Sequence, residues 1–176
     1  EKEFQDFIEK GGLPAAWTIM GMSAIPTDHP NGVGMLGMHG NYAPNYLTNE
    51  CDVLIAVGMR FDDRVTGRLD KYAKQAKIIH LDIDPAEVDK NVQTTVPVWG
   101  NCKETLPLLT NLIDKKTHPE WFNEFKIKLD IEDKTLIQKE LFPFELDGGG
   151  RVQPYLQPIV NCESNLVDAW NEQQIH

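Results

Sequence analysis

Three short segments carry residue types able to hold an anionic ligand. The first is Gly32-Val33-Gly34-Met35-Leu36-Gly37, which continues as Met38-His39-Gly40. A GxGxxG spacing cradles phosphate when a strand leads into it and a helix opens directly after it, so that backbone N–H groups converge at the helix start. Here Thr27-Asp28-His29-Pro30-Asn31 precedes it, a turn-forming stretch, and as a dinucleotide fingerprint the run is a decoy. Its glycines still permit close backbone approach. With Met35, Leu36, Met38 and His39 between them they predict a flexible apolar wall for a flat aromatic group; the alternative is a glycine-rich turn.

The second segment, residues 60–77, holds Arg60, Arg64, Arg68, Lys71, Lys74 and Lys77 against Asp62, Asp63 and Asp70, a local net of +3. It follows an apolar run of strand length, and ligands of open α/β sheets sit beyond the carboxyl ends of strands. A guanidinium there holds phosphate or carboxylate through paired N–H donors. Arg60 and Arg64 are assigned to ligand contact, with Asp62 and Asp63 fixing them; Arg68, Lys71 and Lys74 read as a solvated helix face. The third segment is His80-Leu81-Asp82-Ile83-Asp84-Pro85. Asp82 or Asp84 can accept from ribose or adenine donors, while Asp84 also suits a helix cap and His80 a hydrogen-bonded core position.

Reaction machinery is missing from these segments. No GxSxG, HExxH or GxxxxGK[ST] occurs, Ser23 and Ser164 lack a nucleophile's surroundings, and His29, His39, His80 and His118 lack metal-ligand spacing with cysteines. The reading is a binding domain for an anionic, partly aromatic cofactor, with no catalytic residue and no metal site of its own.

Alternating elements must position these segments. Phe4, Phe7 and Ile8 share a helix face stopped by Gly11-Gly12. Residues 15–19 suit a strand, and residues 41–49 a helix beginning near Pro44. Residues 53–58 and 77–82 are continuous apolar runs, the pattern of strands covered on both faces. Asp84-Pro85 opens a short helix, and Val96-Pro97-Val98 is an edge strand because of its proline. Residues 101–113 form a helix with Leu106, Leu109, Leu112 and Ile113 on one side, Asn101 and Glu104 at capping-box spacing, and Pro107 kinking it or delaying its start. This alternation predicts an α/β fold, a Rossmann-like open parallel sheet with helices on both faces.

Composition bounds the rest. The 176 residues suit one domain with an appendage, 41% hydrophobic and 25% charged. Residues 1–113 hold 15 acids and 10 bases; residues 114–176 hold 12 and 7, with a triple glycine at 148–150 and repeated Gln-Pro steps. The division read from this is an α/β domain over 1–113 and an acidic helical or linker tail, partly irregular, over 114–176. A net charge of −10 argues against nucleic acid. No apolar run reaches the roughly 18–20 residues that span a bilayer, and the start lacks a signal peptide's basic and apolar regions. Three dispersed cysteines, Cys51, Cys102 and Cys162, suit a reducing compartment, so the expected location is the cytoplasm.

Taken together, Gly34-Met35-Leu36-Gly37-Met38-His39-Gly40, then Ala56-Val57-Gly58-Met59-Arg60-Phe61-Asp62-Asp63-Arg64-Val65-Thr66-Gly67, then Ile79-His80-Leu81-Asp82-Ile83-Asp84-Pro85 resemble, in order and spacing, the central domain of the acetolactate synthase (acetohydroxyacid synthase) large subunits. The resemblance covers about residues 1–113 well and about 114–145 weakly. It implies a thiamine-diphosphate enzyme of branched-chain amino-acid biosynthesis that condenses two pyruvates, or pyruvate and 2-ketobutyrate, to a 2-acetohydroxy acid with release of CO2. By the resemblance, thiamine diphosphate and Mg2+ belong to other domains of the enzyme and FAD to this one. Gly37, His39, Gly40, Arg60, His80, Asp82 and Asp84 would line the flavin, and Met38, Asp63 and Arg64 the channel for the second 2-ketoacid. The expected partners are a second copy of the chain and a small regulatory subunit.

Asn101 departs from the family, which usually has Asp there. The resemblance also implies that a first strand and glycine turn of the domain precede Glu1, so the chain is expected to be an inactive fragment of a larger enzyme, incomplete at its N-terminal edge. The competing readings are the central domain of another thiamine enzyme, such as an oxalyl-CoA decarboxylase or glyoxylate carboligase relative, and a standalone nucleotide-binding module.

Overall fold

The computed structural model describes residues 1–135. Expectations for the tail beyond them, the triple glycine, the Gln-Pro steps and Cys162 among them, fall outside the described residues. The elements run α1 (Lys2–Gly11), β1 (Ala15–Trp17), β2 (Gly32–Met35), α2 (Tyr42–Thr48), β3 (Val53–Val57), α3 (Asp63–Thr66), β4 (Lys77–Asp82), β5 (Val96–Trp99), α4 (Cys102–Leu112) and α5 (Pro119–Glu132). Every strand pairing among the described residues is parallel, as α/β alternation requires. The strands divide into two sheets, β1–β2 and β3–β4–β5. In the larger sheet Leu54 stands opposite Ile78 and Ala56 opposite His80, while His80 faces Pro97 on the other side.

Alternation along the strands sorts their side chains into two cores. Ile55, Val57, Ile79 and Leu81 point toward α1 and α4, where Phe7, Ile8 and Leu106 are buried. Leu54, Ala56 and Ile78 point the other way, against Phe61, Tyr72 and Ala73. Both faces of β3 and β4 are thus covered, which is why their sequences are continuous apolar runs. α1 ends as its sequence requires. Gly12 adopts φ 59°, and its N–H returns to Glu9 and Ile8 carbonyls; a side chain there would collide with the Lys116 carbonyl.

A third cluster joins α5 to α2 and β2 through Phe125, Leu47, Ala43 and Val33. α5 therefore packs onto the body of the fold.

Several elements differ from the sequence expectation. The first strand ends at Trp17, and Ile19–Gly21 form a single 3-10 turn. Gly32–Met35, read from its glycines as part of a flexible wall or a glycine-rich turn, is strand β2: Ala15 N–H and Leu36 N–H anchor it at the two ends to the β1 segment. After Asp84 the chain makes turns instead of a helix; Asp84 Oδ1 does accept from Ala86 N–H at 2.9 Å, but the turn does not propagate. Residues 67–76 are likewise turns, so Arg68 and Lys74 are exposed without a helix to carry them. In α4, Pro107 sits inside the helix, and Leu112, expected on the buried side, is 81% exposed. Asn101 caps α4 by accepting from Lys103 N–H at 3.0 Å.

Candidate functional site

β3, β4 and β5 are parallel, so the segments that follow them emerge at one edge. Gly58, Met59 and Arg60 leave β3 there, Ile83 and Asp84 leave β4, and Gly100 leaves β5. Gly58 N–H donates to Leu81 O at 2.8 Å and Gly100 N–H to Asp82 O at 3.0 Å, which extends the sheet by one residue on each side. His80 is fully buried in the central strand. Its Nε2 lies 2.9 Å from Met59 O, an acceptor only, so this nitrogen carries the proton and donates. The ring also meets the edge of Phe61 at 5.0 Å between centroids. His80 thereby ties the start of the arginine segment to β4, as a core histidine does, and leaves its Nδ1 buried without a partner among the described residues.

Asp82 lies 3.8 Å from His80 Nε2 and accepts Asp84 N–H at 2.8 Å, which turns the chain away from the sheet. Phe61, against Tyr72 and His80, anchors the next turn, and Asn91 Nδ2 donates to its carbonyl at 2.7 Å. Asp62 then caps α3 by accepting Arg64 N–H at 3.1 Å. The expected ion pair is present for Arg60, which approaches Asp62 at 3.7 Å with its side chain two-thirds exposed. Arg64 and Asp63 are exposed, and the Arg64 guanidinium has no ion pair among the described residues.

The glycine segment meets the arginine segment. Met38 N–H donates to Arg64 O at 2.7 Å, and Gly37, at φ 102°, has the Arg64 carbonyl where a Cβ would stand, 2.7 Å away. The flexible wall anticipated from these glycines is instead pinned. Gly37 exchanges two hydrogen bonds with the Asn45 side chain, at 2.8 and 2.9 Å. Asn41 accepts Met35 N–H at 3.0 Å and returns its own backbone N–H to Met35 O at 2.8 Å. The glycines are needed for contact with the protein's own backbone. Gly37 and Gly40 are buried, Met38 half-buried and His39 exposed.

Three supports of this loop escaped the sequence reading: Asn41, Asn45 and Glu132. The asparagines follow the glycine run directly, at the helix entry, and that was the available signal. Glu132 lies some 90 residues away on α5, buried, and its carboxylate accepts Tyr42 N–H at 3.0 Å and Asn41 Nδ2 at 3.2 Å. Burial pushes its pKa up, and the two donors pull it part of the way back. Of the cysteines, Cys51 donates to Thr48 O, and burial, helped by the charge of Asp52, pushes its thiol up to about 11. Cys102, at the start of α4, is raised by burial and by the negative charge of Asp82. Neither is a nucleophile at neutral pH.

The site is thus two polar rims, one after β2 and one after β3 and β4, that touch at Met38 and Arg64. Parallel strands flanked by helices, with basic and acidic groups beyond their carboxyl ends, define an α/β domain with an open parallel sheet. Residues 1–109 match the central domain of thiamine pyrophosphate enzymes, and the chain belongs to that family. It is 48% identical over 134 residues to a probable acetolactate synthase large subunit of Methanocaldococcus jannaschii, covering 70% of this chain and 23% of that protein. It is 49% identical over 105 residues to the acetolactate synthase isozyme 2 large subunit of Escherichia coli, covering 60% and 19%. With the chloroplastic acetolactate synthase 2 of Nicotiana tabacum it shares 39% over 156 residues, covering 87% and 22%. The chain spans about a fifth of the length of these curated relatives. No helix among the described residues is long and apolar enough to cross a membrane.

Proposed function

We propose that this chain is the central domain of an acetolactate synthase large subunit and that it holds FAD along the carboxyl ends of β3 and β4. The observation that carries the reading is the meeting of the segments quoted above: the glycine rim, the arginine rim and the β4 terminus form one continuous edge. Arg60 offers an exposed guanidinium to a phosphate, and His80, Asp82 and Asp84 border the adenosine side. Gly37, His39 and Gly40 run along the flavin on the other rim. The residues fit such a group: among the described residues the buried His80 Nδ1 lacks a partner, and Gly58, with φ 58°, meets only Cys102 Sγ, 3.8 Å from where its Cβ would be.

Bound in the longer protein, thiamine diphosphate with Mg2+ supplies the electron sink for decarboxylating pyruvate. The residues of this chain bind and orient. Arg64, its backbone set by Asp62 and its guanidinium without an ion pair among the described residues, takes the carboxylate of the second 2-ketoacid, with Met38 and Asp63 at the same opening. The same reading assigns the longer protein to a homo-oligomer with a small regulatory subunit, working in the cytoplasm. It also assigns residues 1–113 to the cofactor domain, onto which α5 of the following segment packs through Phe125 and Glu132.

The test is the full-length protein supplied with pyruvate, thiamine diphosphate, Mg2+ and FAD. Acetolactate is the expected product, with a 2-acetohydroxy acid of mixed origin when 2-ketobutyrate is added; no such product overturns the reading. Arg64→Ala in that protein is expected to impair use of the second ketoacid more than FAD retention. Equal loss of both would move Arg64 onto the cofactor.

A further inference from the structure

The inner face of α5 is an apolar stripe with one acid in it. Phe122, Phe125 and Leu129 recur at helical spacing and pack against Val33 of β2 and Ala43 and Leu47 of α2. Glu132 takes the next place on the same face and is buried. Burial penalises its charge, and an apolar residue there would simply continue the packing. The aromatic residues already hold α5 in place, so what the carboxylate adds is direction: a buried, hydrogen-bonded acid fixes the groups it meets.

What it meets is the neck of a closed loop. Residues 35–41 lead from β2 into α2, and Asn41 bonds across their two ends. Its side-chain oxygen accepts Met35 N–H, and its own N–H donates to Met35 O. Inside the loop, Gly40 N–H donates to Gly37 O at 2.8 Å. Glu132 accepts from Asn41 Nδ2 and from Tyr42 N–H, so the Asn41 amide has one orientation that satisfies both of its ends. A turned amide would set oxygen against carboxylate and nitrogen against the Met35 N–H.

The tip of the same loop carries Met38 and His39, and Met38 N–H donates to Arg64 O at 2.7 Å. A continuous run of hydrogen bonds thus joins α5 to the arginine rim: Glu132 to Asn41, Asn41 to Met35, and the tip to Arg64. α5 lies beyond the residues 1–109 that match the family's central domain, so the clamp on this loop comes from outside the matched segment.

On the assignment of Met38 and Arg64 to the opening for the second 2-ketoacid, we propose that Glu132 is a positioning residue for that opening: by fixing the Asn41 amide it sets the neck of loop 35–41, and with it where Met38 and the Arg64 backbone stand. Glu132 touches no substrate; its effect passes through the loop.

The test uses the full-length protein and four variants of it. Glu132→Gln keeps a bond to Tyr42 N–H and loses the one from Asn41 Nδ2. Phe125→Leu loosens the same α5 cluster and leaves the carboxylate in place. Arg64→Ala is made alone and together with Glu132→Gln. KM for 2-ketobutyrate and kcat are measured at saturating pyruvate, and hydrogen exchange is read at the Met38 amide. Glu132→Gln is expected to raise KM about fivefold, the share of one net hydrogen bond, with a smaller change in kcat and faster Met38 exchange. Phe125→Leu is expected to leave KM within about twofold, and Glu132→Gln to add no further rise in the Arg64→Ala background. Protected Ile79 and Leu81 amides report an intact β4 in each variant. An equal rise in KM for Glu132→Gln and Phe125→Leu, no rise in either, or full additivity with Arg64→Ala overturns the positioning role while leaving the enzyme reading intact. A full-length parent that forms no acetohydroxy acid overturns that reading itself, and the positioning role with it.

Discussion

Removing the Glu132 carboxylate tests whether α5 holds the glycine rim in place. Glu132→Ala deletes two hydrogen bonds to a charged acceptor, from Tyr42 N–H and Asn41 Nδ2, at a residue only 6% exposed. Each such bond contributes about 1.5–3 kcal/mol net, and the donors left behind in a buried place bear their own desolvation cost. Against this stands the cost of burying the carboxylate, visible as its raised pKa. The balance is a loss of about 2–4 kcal/mol, read from urea unfolding by the fluorescence of Trp121, which packs at 5.5 Å on Phe125 in the same cluster.

Glu132→Gln separates geometry from charge. Its single oxygen can satisfy Tyr42 N–H, but its amide nitrogen then confronts the Asn41 amide, which cannot turn over because its oxygen already accepts Met35 N–H. One bond is lost and the buried charge with it, so the expected cost is about 1 kcal/mol.

The pH dependence has a definite sign. With a folded pKa above its ordinary value of 4.5, Glu132 binds its proton more tightly in the folded state. Its contribution therefore makes stability fall as pH rises from about the ordinary value through the raised one, and Glu132→Gln removes that slope. A Glu132→Ala protein within about 0.5 kcal/mol of the parent, with unchanged exchange at the Tyr42 and Met35 amides, would refute the argument.

Gly37→Ala puts a Cβ 2.7 Å from the Arg64 carbonyl at φ 102° and is expected to cost about 1–3 kcal/mol while speeding exchange at the Met38 amide. Gly21→Ala, whose Cβ would meet nothing closer than 3.5 Å and whose φ is unstrained, serves as its control and is expected to leave that amide unchanged. Cys51, with its thiol near 11, should react with iodoacetamide on the order of a hundredfold more slowly in the folded protein than in urea, measured by mass spectrometry. Rapid labelling of Cys51 in the folded state would show that the α2–β3 turn opens to solvent.

Much of the fold was legible in sequence because it rests on local physics. The β3 and β4 runs are apolar at every position since both faces are covered, and that pattern survives without any knowledge of neighbours. Gly12 as the stop of α1 and Asn101 as the cap of α4 are likewise local. β2 was illegible for an equally physical reason. Glycine carries no strand signal of its own, and residues 32–35 are extended because Ala15, Leu36 and Asn41 hold their backbone. The turns after Asp84 and across residues 67–76 carried helical cues of capping and charge, yet Ala73 and Asp89 within them stand at positive φ, which a helix does not allow.

The chemistry divides along the same line. The order and spacing of the three quoted segments were enough to mark the family, and they put Arg60 and Asp84 just beyond the carboxyl ends of two apolar strands. Sequence could not tell that Met38 lies against Arg64, that Gly37 and Gly40 are glycines for the sake of neighbouring carbonyls, or that a glutamate 90 residues away clamps their loop. Those facts depend on contacts between distant segments, which are decided by how helices and sheets pack.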